Sequence, residues 1–521
     1  MKNLVKIVRK GYCKALFAAL ILFLVNGVSL YAQDVTRFPY NISFRSTAQP
    51  TGVVVPNGGA NSATFTTDGL RLTNTTTQFG AVALDGVSFN STNGIEIEFE
   101  YSMYGGTTFD GSYGDGLSVF LYDASVPLNI GSRGGGLGYA YNRAFSPASA
   151  RAPGLSGGYL GIGLDEFGNF KGRRYQGNSR VNGVNMTWAT NSHITLRGAM
   201  HPTGLSGGGL RGLGFSGYPV LITRSTKHAT SGNLGAILNP TGGGYSNLPS
   251  IGSSNAFDLR PGSLATTEGE PSYRKAFVTL LPHIDGGFRV TVKIQHGVTV
   301  TTVIDNYHYR TSFEYRENAN GNTTGSTELS GGPYVETTHM LNASVPSSFK
   351  IGFAGSTGAA SQIQIIRDLE ISIPYLPEME EDQIAMCGNY NSSTTIFPFA
   401  NDMVYNGSLT GTPVGGNTNT YIDFNSFRFE DEMGNLVGTA TSYTETNVGT
   451  WTYNPANGEV TFTPVKGYTG EASVNYSIKG HNTNGGPFGQ DIYRSATTTI
   501  KVDVHNCNAV SNPNLPATSG Q

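Results

Sequence analysis

Short stretches in which apolar and polar residues alternate recur along the chain, separated by polar turns. Examples are residues 94–101 (GIEIEFEY), 116–122 (GLSVFLY) and 288–294 (FRVTVKI). Successive side chains of a strand point to opposite faces, so each stretch presents one apolar face. Because such strands repeat at regular intervals from residue 34 to about residue 374, this part of the chain is predicted to form an all-β sandwich.

A second set of strands follows a break in the pattern. Residues 374–382 (PYLPEMEED) combine two prolines with clustered acids, which suits neither a strand core nor a helix interior. Residues 450–478 alternate strands with Asn- and Gly-containing turns, which predicts a compact Ig-like sandwich. We therefore expect one domain over 34–377, a second over 378–510, and a linker-like tail over 511–521.

Composition agrees with this fold class and excludes one type of partner. The chain contains 70 glycines, 11% aromatic residues and 13% charged residues, and it lacks sustained helical periodicity. This composition is typical of short strands joined by Gly- and Asn-rich turns. A net charge of -3 does not provide the positive field that nucleic-acid binding requires, so no nucleic-acid partner is expected.

The N-terminal residues predict export. Basic residues precede an apolar run over 15–25 that ends near the small residue Ala32, which is the pattern of a secretory signal peptide over 1–33. The run is too short to span a bilayer comfortably, so no direct membrane insertion is expected. We expect a secreted protein that is extracellular or located at the cell surface.

The cysteines also indicate an exported protein. Cys13 leaves with the signal peptide, and Cys387 and Cys507 remain as one pair. Disulfides persist outside the cytoplasm, so we expect these two residues to form a bridge that joins the two ends of the second domain.

Four segments in the first domain together resemble the L-type (legume-like) lectin domain. They are residues 114–122 (GDGLSVFLY), 134–139 (GGGLGY), 157–170 (GGYLGIGLDEFGNF) and 349–372 (FKIGFAGSTGAASQIQIIRDLEIS). The resemblance covers most of residues 34–374. It implies a concanavalin-like jelly roll that binds carbohydrate.

The resemblance also implies a sugar site. An aspartate, a glycine amide and an asparagine converge on one sugar in this family, and the matching residues are Asp115, Gly135 and Asn169. The family's variable fourth loop matches residues 356–361, which include Ala359 and Ala360. A carboxylate, an amide side chain and a glycine N–H suit sugar hydroxyls, which both donate and accept hydrogen bonds.

A calcium ion next to the sugar site is a further implication of the resemblance. Asp165, the carbonyl of Phe167 and the side chain of Asn169 match the family's calcium ligands, and hard oxygen ligands suit Ca²⁺. Gly163 replaces the glutamate of the family's transition-metal site, and residues 171–174 (KGRR) stand where a further aspartate is expected. Ca²⁺ is therefore expected and a transition metal is not.

Aromatic residues near these positions are candidates for stacking on a sugar ring. They are Tyr139, Tyr141 and Phe167, although tyrosine and phenylalanine in a sandwich more often belong to the core.

The second domain resembles the Ig-like and fibril-type repeats of bacterial surface adhesins. The residues that carry the resemblance are 449–453 and 458–470 (GEVTFTPVKGYTG). This implies a spacer that presents the lectin domain away from the cell. The leading hypothesis is an exported, non-enzymatic lectin or adhesin that binds glycans or polysaccharides, with several copies on a surface providing avidity.

Two alternatives remain open. Glu96, Glu98 and Glu100 alternate on a predicted strand, so their carboxylates share one face, as in laminarinase-type glycoside hydrolases, which use two carboxylates about 5 Å apart. A structural surface protein without a ligand is the other alternative. No GxSxG motif is predicted at a strand-to-helix turn, the chain lacks an HExxH motif, and its histidines are scattered without the close spacing of metal ligands.

One long segment has no assigned role. Residues 198–270 are rich in Gly, Ser and Leu, and they exceed what a simple lectin core needs. An extended loop or additional hairpins over one sheet edge are expected there.

Overall fold

The computed structural model describes residues 33–35, 38–56, 61–142, 151–172, 191–205, 212–228, 235–318, 336–374, 376–388, 392–405, 411–413, 422–480 and 494–507. The predicted signal peptide, apart from its last residue, and the tail over 511–521 lie outside these residues. No helix among the described residues has the length and apolar character needed to cross a membrane.

The first part of the chain forms strands of up to 11 residues, and two single-turn 3-10 helices cover Gly134–Gly136 and Ser253–Asn255. The strands are β1 (Gln33–Asp34), β2 (Tyr40–Ile42), β3 (Val53–Val54), β4 (Thr64–Thr66), β5 (Gly69–Thr73), β6 (Phe79–Leu84), β7 (Val87–Asn90), β8 (Ile95–Tyr104), β9 (Gly116–Asp123), β10 (Gly158–Asp165), β11 (His193–Arg197), β12 (Val220–Ser225), β13 (Gly235–Leu238), β14 (Tyr245–Asn247), β15 (Arg274–Pro282), β16 (Phe288–His296), β17 (Thr299–Tyr309), β18 (Ser312–Asn318), β19 (Glu336–Asn342), β20 (Ser348–Ser356) and β21 (Ile363–Ser372).

These strands build two large sheets and one hairpin. The first sheet runs in the order β1-β7-β20-β9-β10-β11-β12-β13-β14, with β6 on β20 and β3 on β6. The second runs β17-β16-β15-β8-β21-β5-β4, with β2 on β21, and β18 pairs with β19. Strands distant in sequence lie side by side, as in β20 between β7 and β9, which is the topology of a jelly-roll sandwich.

An apolar core fills the space between the two sheets because alternate residues of each strand face it. On β8, Ile95, Ile97 and Phe99 are buried while the glutamates between them are partly exposed. Phe99 meets Phe353 of β20 edge to face, with ring centroids 5.2 Å apart. The alternation seen in the sequence therefore corresponds to the observed faces, and the all-β prediction is confirmed.

A smaller cluster covers the outer face of the first sheet. It consists of residues from loops that fold back over β9, β10 and β20, including Leu137, Tyr139, Tyr141, Phe170 and Tyr218. This cluster supports the loop around Gly134–Gly136 above the sheet.

The segment 198–270 extends the first sheet at one edge. Strands β12, β13 and β14 follow β11 as successive antiparallel neighbours. The structure therefore has additional strands at this edge. Of the two expectations for this segment, an extended loop or additional hairpins at one sheet edge, the second is closer to what is observed.

The remaining strands form a smaller sandwich with a separate core around Trp451 and Phe427. They are β22 (Asp382–Cys387), β23 (Thr394–Ile396), β24 (Met403–Tyr405), β25 (Gly411–Pro413), β26 (Ile422–Glu430), β27 (Ser442–Glu445), β28 (Gly449–Asn454), β29 (Glu459–Pro464), β30 (Gly470–Gly480) and β31 (Thr498–His505). Two four-stranded sheets run β22-β31-β30-β26 and β23-β29-β28-β27, and β24 pairs with β25. The predicted Ig-like sandwich is confirmed.

The predicted disulfide is present in this smaller sandwich. Cys387 ends β22, Cys507 follows β31, and their Cα atoms are 5.4 Å apart. The two strands are parallel neighbours, so the bridge closes a loop with a sequence separation of 120 residues. A loop of this length removes much conformational entropy from the unfolded chain.

Replacing both Cys387 and Cys507 by serine is expected to lower the free energy of unfolding of the smaller sandwich by about 4 kcal/mol, because the unfolded chain regains its freedom. The chain contains two tryptophans, Trp188 and Trp451. In a Trp188→Phe background, Trp451 fluorescence during urea unfolding reports on this sandwich alone. A reductant should lower the free energy of unfolding of the parent to the same degree and leave that of the double variant unchanged. If complete reduction does not change the stability of the parent, the prediction is contradicted.

Candidate functional site

Two loops of the first sheet are joined at Ser356, the last residue of β20. The backbone N–H of Asp115 donates to the Ser356 carbonyl over 2.7 Å, and the N–H of Gly134 donates to the Ser356 hydroxyl over 2.8 Å. Ser356 lies opposite Gly116 in the β20–β9 ladder. The strand register therefore fixes where both loops stand.

Asp115 lies between two glycines that the packing requires. The Gly114–Asp115 peptide bond is cis. A Cβ at Gly114 would lie 2.9 Å from the Phe167 ring, and one at Gly116, where φ is +146°, would overlap the Leu164 carbonyl oxygen. Only glycine tolerates both the close approach and the positive φ. This packing holds Asp115, which is 6% exposed, against the end of β10.

The structure brings the predicted Asn169 next to Asp115. The Asn169 side-chain Nδ2 lies 3.5 Å from Asp115 Oδ1, and the Phe167 N–H donates to the Asp115 carbonyl over 2.8 Å. Gly135 lies buried in the single 3-10 turn that starts at the Gly134 N–H bound to Ser356. The loops that carry all three predicted sugar-binding residues are therefore linked by hydrogen bonds.

The predicted variable loop, residues 356–361, continues from the same junction. Backbone N–H groups of Thr77 and Thr107 donate to the loop, to a carbonyl and a serine hydroxyl respectively, each over 3.0 Å. Ala359 is exposed, whereas Ala360 is 3% exposed. Of these two predicted residues, only Ala359 presents its side chain to solvent.

The aromatic residues proposed to stack on a sugar are buried. Tyr139 and Tyr141 are fully buried, and Phe167 is 4% exposed. Tyr139 and Tyr141 each meet Tyr218 edge to face, at 5.5 Å and 5.9 Å between ring centroids. The stacking prediction is wrong for these three residues. Tyr139 and Tyr141 belong to the cluster on the outer face of the first sheet, and the Phe167 ring lies against Gly114.

Other aromatic residues next to Asp115 were not identified from the sequence. Phe109 is 46% exposed and Tyr113 is half-buried in the loop 105–114. The Arg260 guanidinium lies 3.5 Å from the centre of the Tyr113 ring and donates to the Gly105 carbonyl over 2.9 Å. The one sequence feature that could have identified Tyr113 as a candidate is its position directly before Gly114 and Asp115. Nothing in the sequence connected Arg260 to this loop.

The predicted calcium ligand Asp165 is already bound by the backbone. The N–H of Gly168 donates to its Oδ1 over 2.9 Å, and the N–H of Lys171 donates to its Oδ2 over 3.2 Å. The carboxylate is fully buried at the end of β10, and burial raises its pKa. Asp165 thus closes the turn that leads away from the strand.

A buried ammonium group lies close to the same turn. Lys171 is 1% exposed, and its Nζ is 3.4 Å from His193 Nδ1. Burial lowers the pKa of Lys171 to about 8, against the opposing charges of Asp165 and Glu166. Glu166 is buried as well, and burial raises its pKa to about 8.

The oxygens of the predicted calcium ligand Asp165 are engaged by protein groups. Ca²⁺ takes six to eight oxygen ligands, and the predicted set offers the Asp165 carboxylate, the Phe167 carbonyl and the Asn169 side chain. Asp165 accepts backbone hydrogen bonds on both oxygens, and the Lys171 ammonium adds a like charge nearby. A Cβ at Gly163 would overlap the Phe170 ring, so the position that lacks the family's glutamate is filled by an aromatic side chain.

The three glutamates of β8 share one face, as predicted, but two are held in ion pairs. Glu100 accepts from Arg367 Nε over 2.8 Å, and Glu98 pairs with Lys275 Nζ over 2.6 Å. Burial, followed by the charge of Glu98, raises the pKa of Glu96 to about 7. A raised pKa of this kind is what a catalytic acid requires, so Glu96 is the candidate for that role.

Comparison with known proteins finds a family that is similar to part of the smaller sandwich. The family described as "Surface adhesin CshA repetitive domain" matches residues 399–491. The predicted similarity of this part of the chain to adhesin repeats is confirmed. A search of curated protein sequences finds no match.

Solved structures similar to the chain include several lectins. The metal-free Emp46p carbohydrate recognition domain is 12% identical, with a TM-score of 0.31, and the match covers 64% of this chain and 95% of that one. Lectin II from Ulex europaeus is 12% identical, with a TM-score of 0.31, over 65% of this chain and 99% of that one. The VIP36 exoplasmic/lumenal domain in its Ca²⁺/Man3GlcNAc-bound form is 12% identical, with a TM-score of 0.30, over 64% and 90% of the two chains. At these values the likeness does not by itself define the fold, which the sheet topology establishes.

Replacing Gly116 by alanine is expected to lower the free energy of unfolding of the large sandwich by about 3 kcal/mol or more, because a Cβ would overlap the end of β10. Gly111 is the matched control, since its φ is also positive, at +76°, but a Cβ there meets nothing within 4 Å. Gly111→Ala should cost about 1 kcal/mol. Equal losses in urea unfolding would show that the contacts around Asp115 do not constrain the loop.

Proposed function

We propose that the large sandwich binds glycans at the ends of β9, β10 and β20. The observation that carries this proposal is that the Asp115, Gly135 and Asn169 loops are joined through Ser356. A carboxylate, an amide and backbone N–H groups on strand ends form a rigid polar set. Such a set binds with a low ordering cost, because it exists before the ligand arrives.

The chemistry of these groups favours a sugar over other small ligands. Neighbouring hydroxyls of a pyranose can donate to the Asp115 carboxylate and accept from the Asn169 amide. The exposed side chain of Phe109 and the half-buried ring of Tyr113 stand in the loop that leads to Asp115. We propose that one of these rings stacks on the sugar face, in place of the buried aromatic residues.

We propose that the smaller sandwich, over residues 378–510, presents the glycan-binding domain of residues 34–377 outside the cell. The adhesin-repeat match and the Cys387–Cys507 disulfide support an extracellular location. The signal peptide over 1–33 supplies export in this proposal. Weak binding of single sugars would be strengthened by several copies of the protein on one surface.

Calcium assistance, expected from the lectin resemblance, stays a prediction. The contacts of Asp165 and the buried Lys171 ammonium favour a site whose loops are held by protein groups alone. On this proposal glycan binding persists in a chelator. Loss of binding in chelator, restored by Ca²⁺, would reinstate the calcium site.

A second candidate function is glycan hydrolysis at Glu96. Its raised pKa favours this candidate, as does a cavity of about 340 Å³ that Glu96 lines together with Glu98, Glu370 and Glu378. The ion pair of Glu98 with Lys275 argues against it, because the partner carboxylate is neutralised. We propose a non-enzymatic role, and reducing-sugar release that Glu96→Gln abolishes would contradict it.

Asp115→Asn is expected to weaken glycan binding by about ten- to a hundredfold, because a charge-assisted hydrogen bond is replaced by a neutral one. The full chain is applied to a glycan array, and the affinity for the strongest ligand is then measured by calorimetry. Asp110→Asn is the matched control, since Asp110 is exposed in the same loop.

The expected result is weaker binding in Asp115→Asn alone, with both variants folded by circular dichroism. Equal binding by both variants would place the ligand elsewhere. An array on which the parent binds no glycan would favour the structural-protein alternative.

A further inference from the structure

Two histidines that are distant in sequence converge on one aspartate at a sheet corner. His283 Nδ1 lies 2.9 Å from Asp285 Oδ1, and His308 Nε2 lies 2.7 Å from Asp285 Oδ2. The two imidazole rings have centroids 4.0 Å apart. The three potential ligand atoms all lie within 4.8 Å of one another, and among the described residues this is the one group of its kind.

Strand pairing brings these side chains together. His283 and Asp285 belong to the turn between β15 and β16, where the His283 N–H donates to the Gly287 carbonyl over 2.8 Å. His308 lies on β17 directly opposite Arg289 of β16. No sequence motif indicates this group, because its histidines are 25 positions apart and meet only through the β16–β17 register.

The group lies far from the proposed glycan site. Strand β15 is antiparallel to β8, with Leu280 opposite Ile95 and Lys275 opposite Glu100. The turn after β15 therefore lies at the start of β8, whereas the loop 105–114 follows its end. A ligand at the histidine group and a glycan at Asp115 would occupy opposite ends of the sandwich.

Hydrogen bonds hold the Asp285 carboxylate in place between the two rings. The Gly287 N–H donates to Asp285 Oδ1 over 2.9 Å, and His283 contacts the same oxygen. His308 contacts Asp285 Oδ2. A carboxylate and two imidazole nitrogens therefore stand together, and these are donor types that zinc-class ions take.

The distances are close to those of a tetrahedral site. Zinc binds histidine nitrogen and carboxylate oxygen at about 2.0–2.2 Å, so neighbouring ligand atoms in a tetrahedron stand about 3.3–3.5 Å apart. The observed hydrogen-bond distances need to widen by roughly 0.5 Å, which small side-chain rotations provide. The side chains are 13–31% exposed, so an ion has access from solvent.

We propose that His283, Asp285 and His308 bind a divalent transition-metal ion of the zinc class through His283 Nδ1, His308 Nε2 and the Asp285 carboxylate. The ion replaces the two imidazole–carboxylate hydrogen bonds. The proton on each donating ring nitrogen passes through solvent to the other nitrogen of the same ring, which for His283 displaces Arg289 Nη2 from its position 3.4 Å from Nε2. Two imidazoles select Zn²⁺, Co²⁺ or Ni²⁺ over Ca²⁺ and Mg²⁺, which prefer oxygen ligands.

The bound ion would fasten the β15–β16 turn to β17 and retain an open coordination position. Next to it is a cavity of about 300 Å³ lined by His308, Arg289, Asp305 and Arg310, among other residues. This polar opening leaves room for water or a small anionic group as the fourth ligand. From the sequence we expected no transition metal, both at the lectin-type site and among the scattered histidines, so this proposal departs from that expectation.

The test uses the full chain without a histidine tag. Zn²⁺ affinity is measured by competition with a chromogenic chelator, and Co²⁺ binding by its visible absorption, with Ca²⁺ and Mg²⁺ as comparison ions. The variants are His283→Gln, His308→Gln and Asp285→Asn. His505→Gln is the matched control, because His505 is exposed in the smaller sandwich.

The expected result is about one equivalent of Zn²⁺ per parent chain, weakened at least about tenfold in each of the three variants and unchanged in His505→Gln. Zn²⁺ should also raise the melting temperature of the parent and of His505→Gln, but not that of the three ligand variants. Circular dichroism establishes that the variants are folded. Absence of Zn²⁺ binding by the parent, or equal binding by all variants, would overturn the proposal and leave the group as a hydrogen-bonded network.

Discussion

The proposed glycan site depends on the hydrogen bonds that Ser356 accepts at the end of β20. Its carbonyl accepts from the Asp115 N–H, and its hydroxyl accepts from the Gly134 N–H. Because β20 pairs with β9 through a register that sets Ser356 opposite Gly116, both loops inherit the rigidity of the sheet. The remaining contacts, between Asp115 and Asn169 and between the loop 356–361 and its neighbours, extend from this point.

Charged side chains inside the large sandwich form ion pairs or hydrogen bonds with other groups of the protein. Glu100 binds Arg367, Glu98 binds Lys275, and Asp165 accepts backbone N–H groups close to the buried Lys171 ammonium. Buried charges are costly unless they are paired or hydrogen-bonded, so these contacts also limit what the same carboxylates can do chemically. The contacts of Asp165 and of the β8 glutamates involve the same carboxylates that the sequence suggested for a calcium site and for a catalytic pair, and the calcium site stays a prediction.

Local sequence patterns predicted the features that local interactions determine, namely the alternating strands and the disulfide between the two remaining cysteines. Features that arise from strand order were not predictable. The burial of Tyr139 and Tyr141 depends on loops that fold over the outer face, and Arg260 reaches Tyr113 from the segment that extends the sheet edge. His283 and His308 meet through the β16–β17 register, which no spacing in the sequence reveals.

The central claim is that glycan binds at the loops linked by Ser356, and hydrogen–deuterium exchange tests it most directly. Exchange would be compared with and without a saturating concentration of the strongest glycan found on the array. The account predicts slower exchange confined to residues 105–117, 132–138, 165–169 and 356–361. Protection centred on the Glu96 face of β8, or on the turn that contains Asp285, would contradict it.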